Sequence, residues 1–245
     1  MIGAGTLINV VAIVIGSTIG VLVGNRLRSS TRELITQVLG FITALAAADA
    51  VKDLWSTNFK SALPKGWPLL LLLFSLLLAA IVGSALGIEA RLESVGKWLR
   101  ERFARAEEST FLEGFVSATL IFAIGPLAIL GSMSDGMRTG IAQLTLKSTL
   151  DFFAAMAFAS TLGWGVAASI IPVAIYQGAW TAVGWFAGSV LSGYQISAMT
   201  ISGGVLLFGI SLRLLKVKEV AVGNLLPVLA IAPIAATIAH HLMKH

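Results

Sequence analysis

Not one cysteine occurs in the 245 residues, which excludes disulfides, thiol catalysis and cysteine metal centres. Charge is scarce too: Asp, Glu, Lys and Arg make up 12% of the chain, against about 25% in a soluble domain. The histidines, His240, His241 and His245, all lie in the C-terminal tail, so no histidine at membrane depth offers a base or a ligand. Neither a HExxH metal motif nor a GxSxG nucleophile elbow is present, the two patterns that would point to hydrolysis. These gaps argue against an enzyme, and no metal or cofactor is expected.

What the chain has in abundance is apolar length. Hydrophobic residues make up 57% of it, and several runs reach the roughly 20 residues that cross a bilayer. The expectation is an all-α polytopic membrane protein with about eight spans. They run Gly3–Gly24, Leu34–Val51, Pro68–Ile88, a fourth from Phe115, a fifth from about Gln143 to Leu162, Val166–Val190, Ile196–Leu215 and Val222–Leu242. The start lacks a basic segment ahead of its apolar run, so no cleaved signal is expected. Glycines 16, 20 and 24 recur every four residues, a small-residue face for close helix packing. The connector Asp53–Trp67 reads as a loop around Pro64 and Gly66. Glu89–Glu108 carries Leu92, Val95, Leu99 and Phe103 on one side, the pattern of an amphipathic helix on the membrane surface.

The stretch Phe115–Asp151 organises the rest. Pro126 removes a donor and frees the carbonyl of Phe122, so a break is expected at Gly125-Pro126. Such breaks are tolerated at membrane depth where protein or water satisfies the freed groups. A turn is expected over Ser132–Gly136, bearing Ser134 and Asp135. Lys147 and Asp151 follow, four apart and on one helical face. Ionisable residues at depth are costly and usually face a cavity or pathway; a pair snorkelling to the interface is the plainer alternative. Ser132, Ser134 and Ser148 add hydroxyls, while Asn9 and Gln177 add amides inside other spans. Pro172 is expected to break the sixth span close to the Pro126 break. Together Asp151, Lys147, Ser148, Asp135, Ser132, Ser134, Phe122, Gly125, Pro126, Gln177 and Asn9 form the candidate solute- or ion-binding set.

Offsetting the chain by 164 aligns Gly20 with Gly184, Gly24 with Gly188, Leu27 with Leu191, Thr36 with Thr200 and Gly40 with Gly204. This pairs spans one to three with six to eight in opposite senses, an inverted repeat of the kind found in transporters. One integral membrane domain is thus expected over 1–245. Residues 1–88 form the first repeat, 89–113 a cytoplasmic connector, 114–165 the broken and charged helix pair, and 166–245 the second repeat. Of the 17 Lys and Arg, Arg26, Arg28, Arg32, Arg91, Lys97, Arg100, Arg102, Arg105, Arg213, Lys216 and Lys218 fall on one side. That side should be cytoplasmic, which puts both termini outside. Acidic and basic residues are interspersed in the connector, so the surplus of +5 sets topology rather than contacting nucleic acid.

LINVVAIVIGSTIG, EGFVSATLIFAIGPLAILGSMSDG, LKSTLDFFAAMAFASTLGWGV and IPVAIYQG resemble segments of the bacterial domain-of-unknown-function family 554, with YqgA-like and YdfK-like members. The resemblance covers nearly the whole chain and implies a multi-spanning protein of the bacterial inner membrane. It brings no binding residues with it. The residues themselves favour a secondary transporter for a small solute, anionic at the start of the half-helix after Pro126, with Asp151 as proton or sodium coupler and Lys147 its partner. An ion channel and an intramembrane structural or assembly protein are the alternatives. The partners expected are the lipid bilayer and a small solute or ion; homo-oligomerisation stays open.

Overall fold

The computed structural model describes residues 2–63, 66–103, 110–123, 126–187 and 191–242. Among them every regular element is helical. In chain order these are α1 (Ala4–Gly24), α2 (Ser29–Val51), α3 (Thr57–Ser61), α4 (Trp67–Leu86), α5 (Ile88–Phe103) and α6 (Phe111–Ala123). There follow α7 (Pro126–Gly136), α8 (Ala142–Leu162), α9 (Gly165–Ala168), α10 (Ile170–Ala187), α11 (Gly193–Leu214) and α12 (Val228–Leu242). Among the described residues, six helical segments are long and apolar enough to cross a membrane. The pair α6–α7, bent by 63°, raises the number to seven if it is one span. An eighth would have to be α8, which is not among them because Gln143, Lys147 and Asp151 dilute its apolar character.

The chain falls into two compact units, residues 1–39 with 92–190, and residues 40–91 with 191–245. In the first unit α1 and α8 run side by side in the same direction. A Cβ at Gly16, Gly20 or Gly24 would collide with the backbone carbonyl of Phe152, Met156 or Ser160 in turn. Only a residue without a side chain lets the backbones come that close. Leu144, at the start of α8, meets Gly5 at the start of α1.

The bent pair runs against α8. The Thr110 hydroxyl donates to the Leu162 carbonyl at 3.3 Å, and Gly165 abuts the backbone of Phe111, so α6 starts at the far end of α8. Gly131 packs on Leu144, so α7 finishes at the near end. The bent pair therefore traverses the length of α8 rather than returning to its starting side. From α9, beside Phe111, α10 runs the same way, and its Thr181 and Gly184 cross Gly136 and Met133 of α7. Gly96 of α5 lies on Leu112 and Phe115 of α6, and Leu99 is buried. Its apolar stripe is therefore split: Val95 stays exposed while the Gly96–Leu99 face docks on protein.

In the second unit α11 packs on α12 and α4. A carboxylate latch holds one end. Glu89 accepts from the Arg213 guanidinium at 2.7 Å and from the Gly223 N–H at 2.5 Å, while Asn224 accepts from the Glu89 N–H at 2.9 Å. Ser192 and Gln195 form a capping box at the start of α11, reciprocally satisfying orphan donors.

Three local expectations give way to tertiary contacts. The connector after α2 is no open loop: a 3-10 turn at Lys52–Trp55 and α3 occupy it, capped by the Ser56 hydroxyl on the Phe59 N–H. Ser132–Gly136 is helix, not turn, because Gly136 provides the crossing with α10 and so stays in register. Pro172 breaks nothing, since it occupies the first turn of α10, where its missing N–H is not needed. The interruption lies at Ser169 instead.

Candidate functional site

On α8 the buried residues Leu144, Lys147, Ser148, Asp151 and Ala155 follow helical spacing, while Leu146, Leu150 and Phe153 are exposed. The helix thus points its charges inward and Leu146, Leu150 and Phe153 outward, the reverse of a helix facing water. α8 is about 31 Å long, and Asp151 sits about 14 Å from its start, near the midpoint. Both charged side chains are at most a tenth exposed. A Lys that reached the interface by snorkelling would keep its ammonium in water. This one does not.

The Lys147 ammonium donates to Asp151 Oδ2 along the helix. Its other face lies 5.9 Å from the centre of the Phe122 ring, within cation–π range. Phe122 lies in the last turn of α6, just before the bend, so the pair sits where the broken crossing meets α8. From α1, Asn9 stands beside the Asp151 carboxylate without reaching hydrogen-bond geometry. Lys147, Asp151, Phe122 and Asn9 therefore converge from three helices.

The remaining predicted residues divide. Ser148 and Ser132 donate to the Leu144 and Ala128 carbonyls of their own helices, each at 2.6 Å, which occupies their hydroxyl protons locally. Asp135 makes its hydrogen bonds to α1 and not to the pair. Its two carboxylate oxygens accept from the N–H groups of Gly3 at 3.2 Å and Gly5 at 2.9 Å. It therefore caps α1 from another helix, a placement that also suits the positive end of the α1 dipole. Ser134 presents its backbone carbonyl to the N–H and hydroxyl of Thr139. Pro126 begins α7, and Gly125 lies outside the described residues.

Gln177 is fully buried on the α10 stripe Val173, Gln177, Thr181, Gly184, one turn from the crossing with α7. Neither its amide oxygen nor its nitrogen has a hydrogen-bond partner, and the same holds for Asn9. The Thr119 and Ser17 hydroxyls are likewise buried and unpartnered. Their signal in the sequence was spacing: Thr119 precedes Phe122 by one turn, and Ser17 follows Asn9 by about two. Each such group costs about 1–3 kcal/mol when buried without a partner. Helices α1 and α6, which pack on α8, and α10, which packs on α1, α6 and α7, thus each carry buried hydrogen-bonding groups without a partner.

A family model described as "Protein of unknown function (DUF554)" matches residues 4–237. The chain is 28% identical over 236 residues to the "Uncharacterized membrane protein YdfK" of Bacillus subtilis (strain 168), covering 96% of each. It is also 28% identical over 241 residues to the "Uncharacterized protein YqgA" of Escherichia coli (strain K12), covering 95% of this chain and 96% of that one. No solved structure matches it significantly.

Proposed function

The chain belongs to the DUF554 family of membrane proteins, and on that premise we propose that it is a secondary transporter of the bacterial plasma membrane for a small solute. The observation that carries the reading is the buried Lys147–Asp151 pair near the midpoint of α8, beside a broken crossing helix. Charges at such depth mark substrate and ion pathways. Broken helices build the sites of many transporters. Asp151 is the coupling group, held by Lys147 in one state and released in another. Asn9, Gln177 and Thr119 supply hydrogen bonds to the solute.

We read the offset of 164 as an inverted repeat, which supports the same function. Under the offset of 164, the contact of Gly40 with Leu215 maps onto the contact of Gly204 with Val51, as a two-fold relation requires. In the first unit α1 and its counterpart α10 run in opposite directions. With the basic loops cytoplasmic, both termini lie outside. A C-terminal phosphatase fusion should be active and a C-terminal fluorescent-protein fusion dark.

The deciding experiment is flux. Purified protein in liposomes should give saturable uptake driven by a proton or sodium gradient, and Asp151→Asn should lose the coupling. Ohmic current without saturation would make the protein a channel, and no flux would leave a structural role.

A further inference from the structure

Few charges lie near the pair among the described residues. Among the described residues, the buried charged side chains are Asp135, Lys147 and Asp151. Asp135 is committed to the start of α1. The elements packed on α8 are α1, α6, α7 and α9. Beside the pair they bring Asn9 from α1 and Phe122 from α6. Their acidic residues are Asp135 on α7 and Glu113 in the first turn of α6, by the far end of α8. α10, packed on α1, α6 and α7, carries Gln177, uncharged, and Tyr176, packed edge-on to Trp180. Asp135 and Glu113 aside, no residue of these helices carries charge among the described residues, so at the pair itself one ammonium and one carboxylate cancel.

Resting on the transporter reading, we propose that the site binds one monovalent anion together with one proton, and that the cycle moves both without net charge. The anion takes the Lys147 ammonium from Asp151, and Asp151 takes up the proton. The ion pair Lys147–Asp151 becomes the ion pair Lys147–anion plus a neutral carboxyl group, with zero net charge before and after. An anion binding without the proton would strand the Asp151 charge in a dry interior, where breaking a buried pair costs several kcal/mol. A dianion would leave the same excess. Sodium in place of the proton would be a second full cation one helical turn from the Lys147 ammonium, which repels it, whereas a proton bonded to the carboxylate leaves a neutral group there. The unpartnered Asn9 and Gln177 amide nitrogens and the Thr119 hydroxyl are the donors that such an anion needs once it leaves water.

The test uses the full chain in liposomes with radiolabelled lactate, glycerate or nitrate, and sulfate as the dianion. The expected result is accumulation of a monovalent anion by about tenfold per unit of pH gradient, acid outside, with sodium absent. A potassium–valinomycin potential of 100 mV, which would change accumulation about fifty-fold if one charge moved, should change it less than twofold. Uptake that follows the potential, requires sodium or prefers sulfate overturns the stoichiometry while leaving the protein a transporter. Binding is read separately: acid should strengthen stabilisation of the detergent-solubilised protein by the same anions, and stabilisation indifferent to pH also counts against the proposal. Failure of every solute to move or bind defeats the transporter reading itself.

Discussion

Replacing Lys147 by alanine leaves Asp151 in the interior of the first unit with its partner gone. A charge left alone there costs about 3–5 kcal/mol, but the protein has a cheaper escape, which is to protonate the carboxylate. At pH 7 that costs an ordinary carboxylate about 4 kcal/mol, and at pH 5 about 1.5 kcal/mol, at 1.36 kcal/mol per pH unit above its usual value near 3.9. The folded variant then holds a proton that the unfolded chain releases, so its stability falls as pH rises. The deficit of Lys147→Ala should thus be near 4 kcal/mol at pH 7 and shrink by between two and three kcal/mol at pH 5. Asp151→Ala leaves an ammonium instead and should show the opposite slope, its deficit shrinking toward alkaline pH. The double change Lys147→Met with Asp151→Leu removes both charges at similar volume and should be neutral or stabilising. Reversible unfolding in mixed micelles, at three pH values, measures all of these. A deficit below 1 kcal/mol for Lys147→Ala, or one that does not change with pH, would show that water reaches the pair and that the closed interior is wrong.

Other predictions follow from the packing. Gly20→Ala should cost about 1–3 kcal/mol, because the new methyl meets the Met156 carbonyl, a backbone group that cannot swing aside; Gly178→Ala, with open space around it, should be neutral or stabilising by up to about 1 kcal/mol. Comparing the two melting shifts checks this. Asp135→Ala should cost about 0.5–2 kcal/mol through the lost cap on α1; hydrogen exchange should rise at Gly3 and Gly5 while the amides of α8 stay protected. Glu89→Ala removes the acceptor shared by Arg213 and Gly223; it should cost about 1–3 kcal/mol, and an unchanged unfolding curve would dismiss the latch.

Much of this was legible because membrane helices advertise themselves by composition. The start of α8 was readable to within one residue, and the spacing of Lys147 and Asp151 already placed them on one face. Gly16, Gly20 and Gly24 announced a close partner but not its identity, since spacing carries no record of which backbone fills the groove. Residues that answer to tertiary contacts were less readable. Gly136 looks like a turn former and is a packing surface. Asp135 looks like an ion ligand and also caps a distant helix, bonding the N–H of Gly5 130 residues earlier. Pro172 sits two residues inside α10, and its effect depended wholly on where that helix began.

The three glycines and the ion pair belong to one design. α8 is too polar to face lipid on all sides, so its charged stripe has to be covered by protein. A helix at an ordinary axial separation of about 8–10 Å covers a neighbour with side chains and leaves gaps beside small ones. By meeting Phe152, Met156 and Ser160 with glycine, α1 brings its backbone directly against α8 and shields the second half of that helix from lipid without adding side chains. Toward the start of the pair the glycine spacing lapses: Asn9 takes the position level with Lys147 and Asp151, and the contact becomes polar. A bulky residue at Gly20 should therefore loosen the cover over the pair as well as the helix contact. Gly20→Leu should make the Lys147→Ala deficit smaller and less dependent on pH, because water then reaches Asp151. If the two changes add independently at every pH, the glycine face and the ion pair are separate features, and the shielding argument fails.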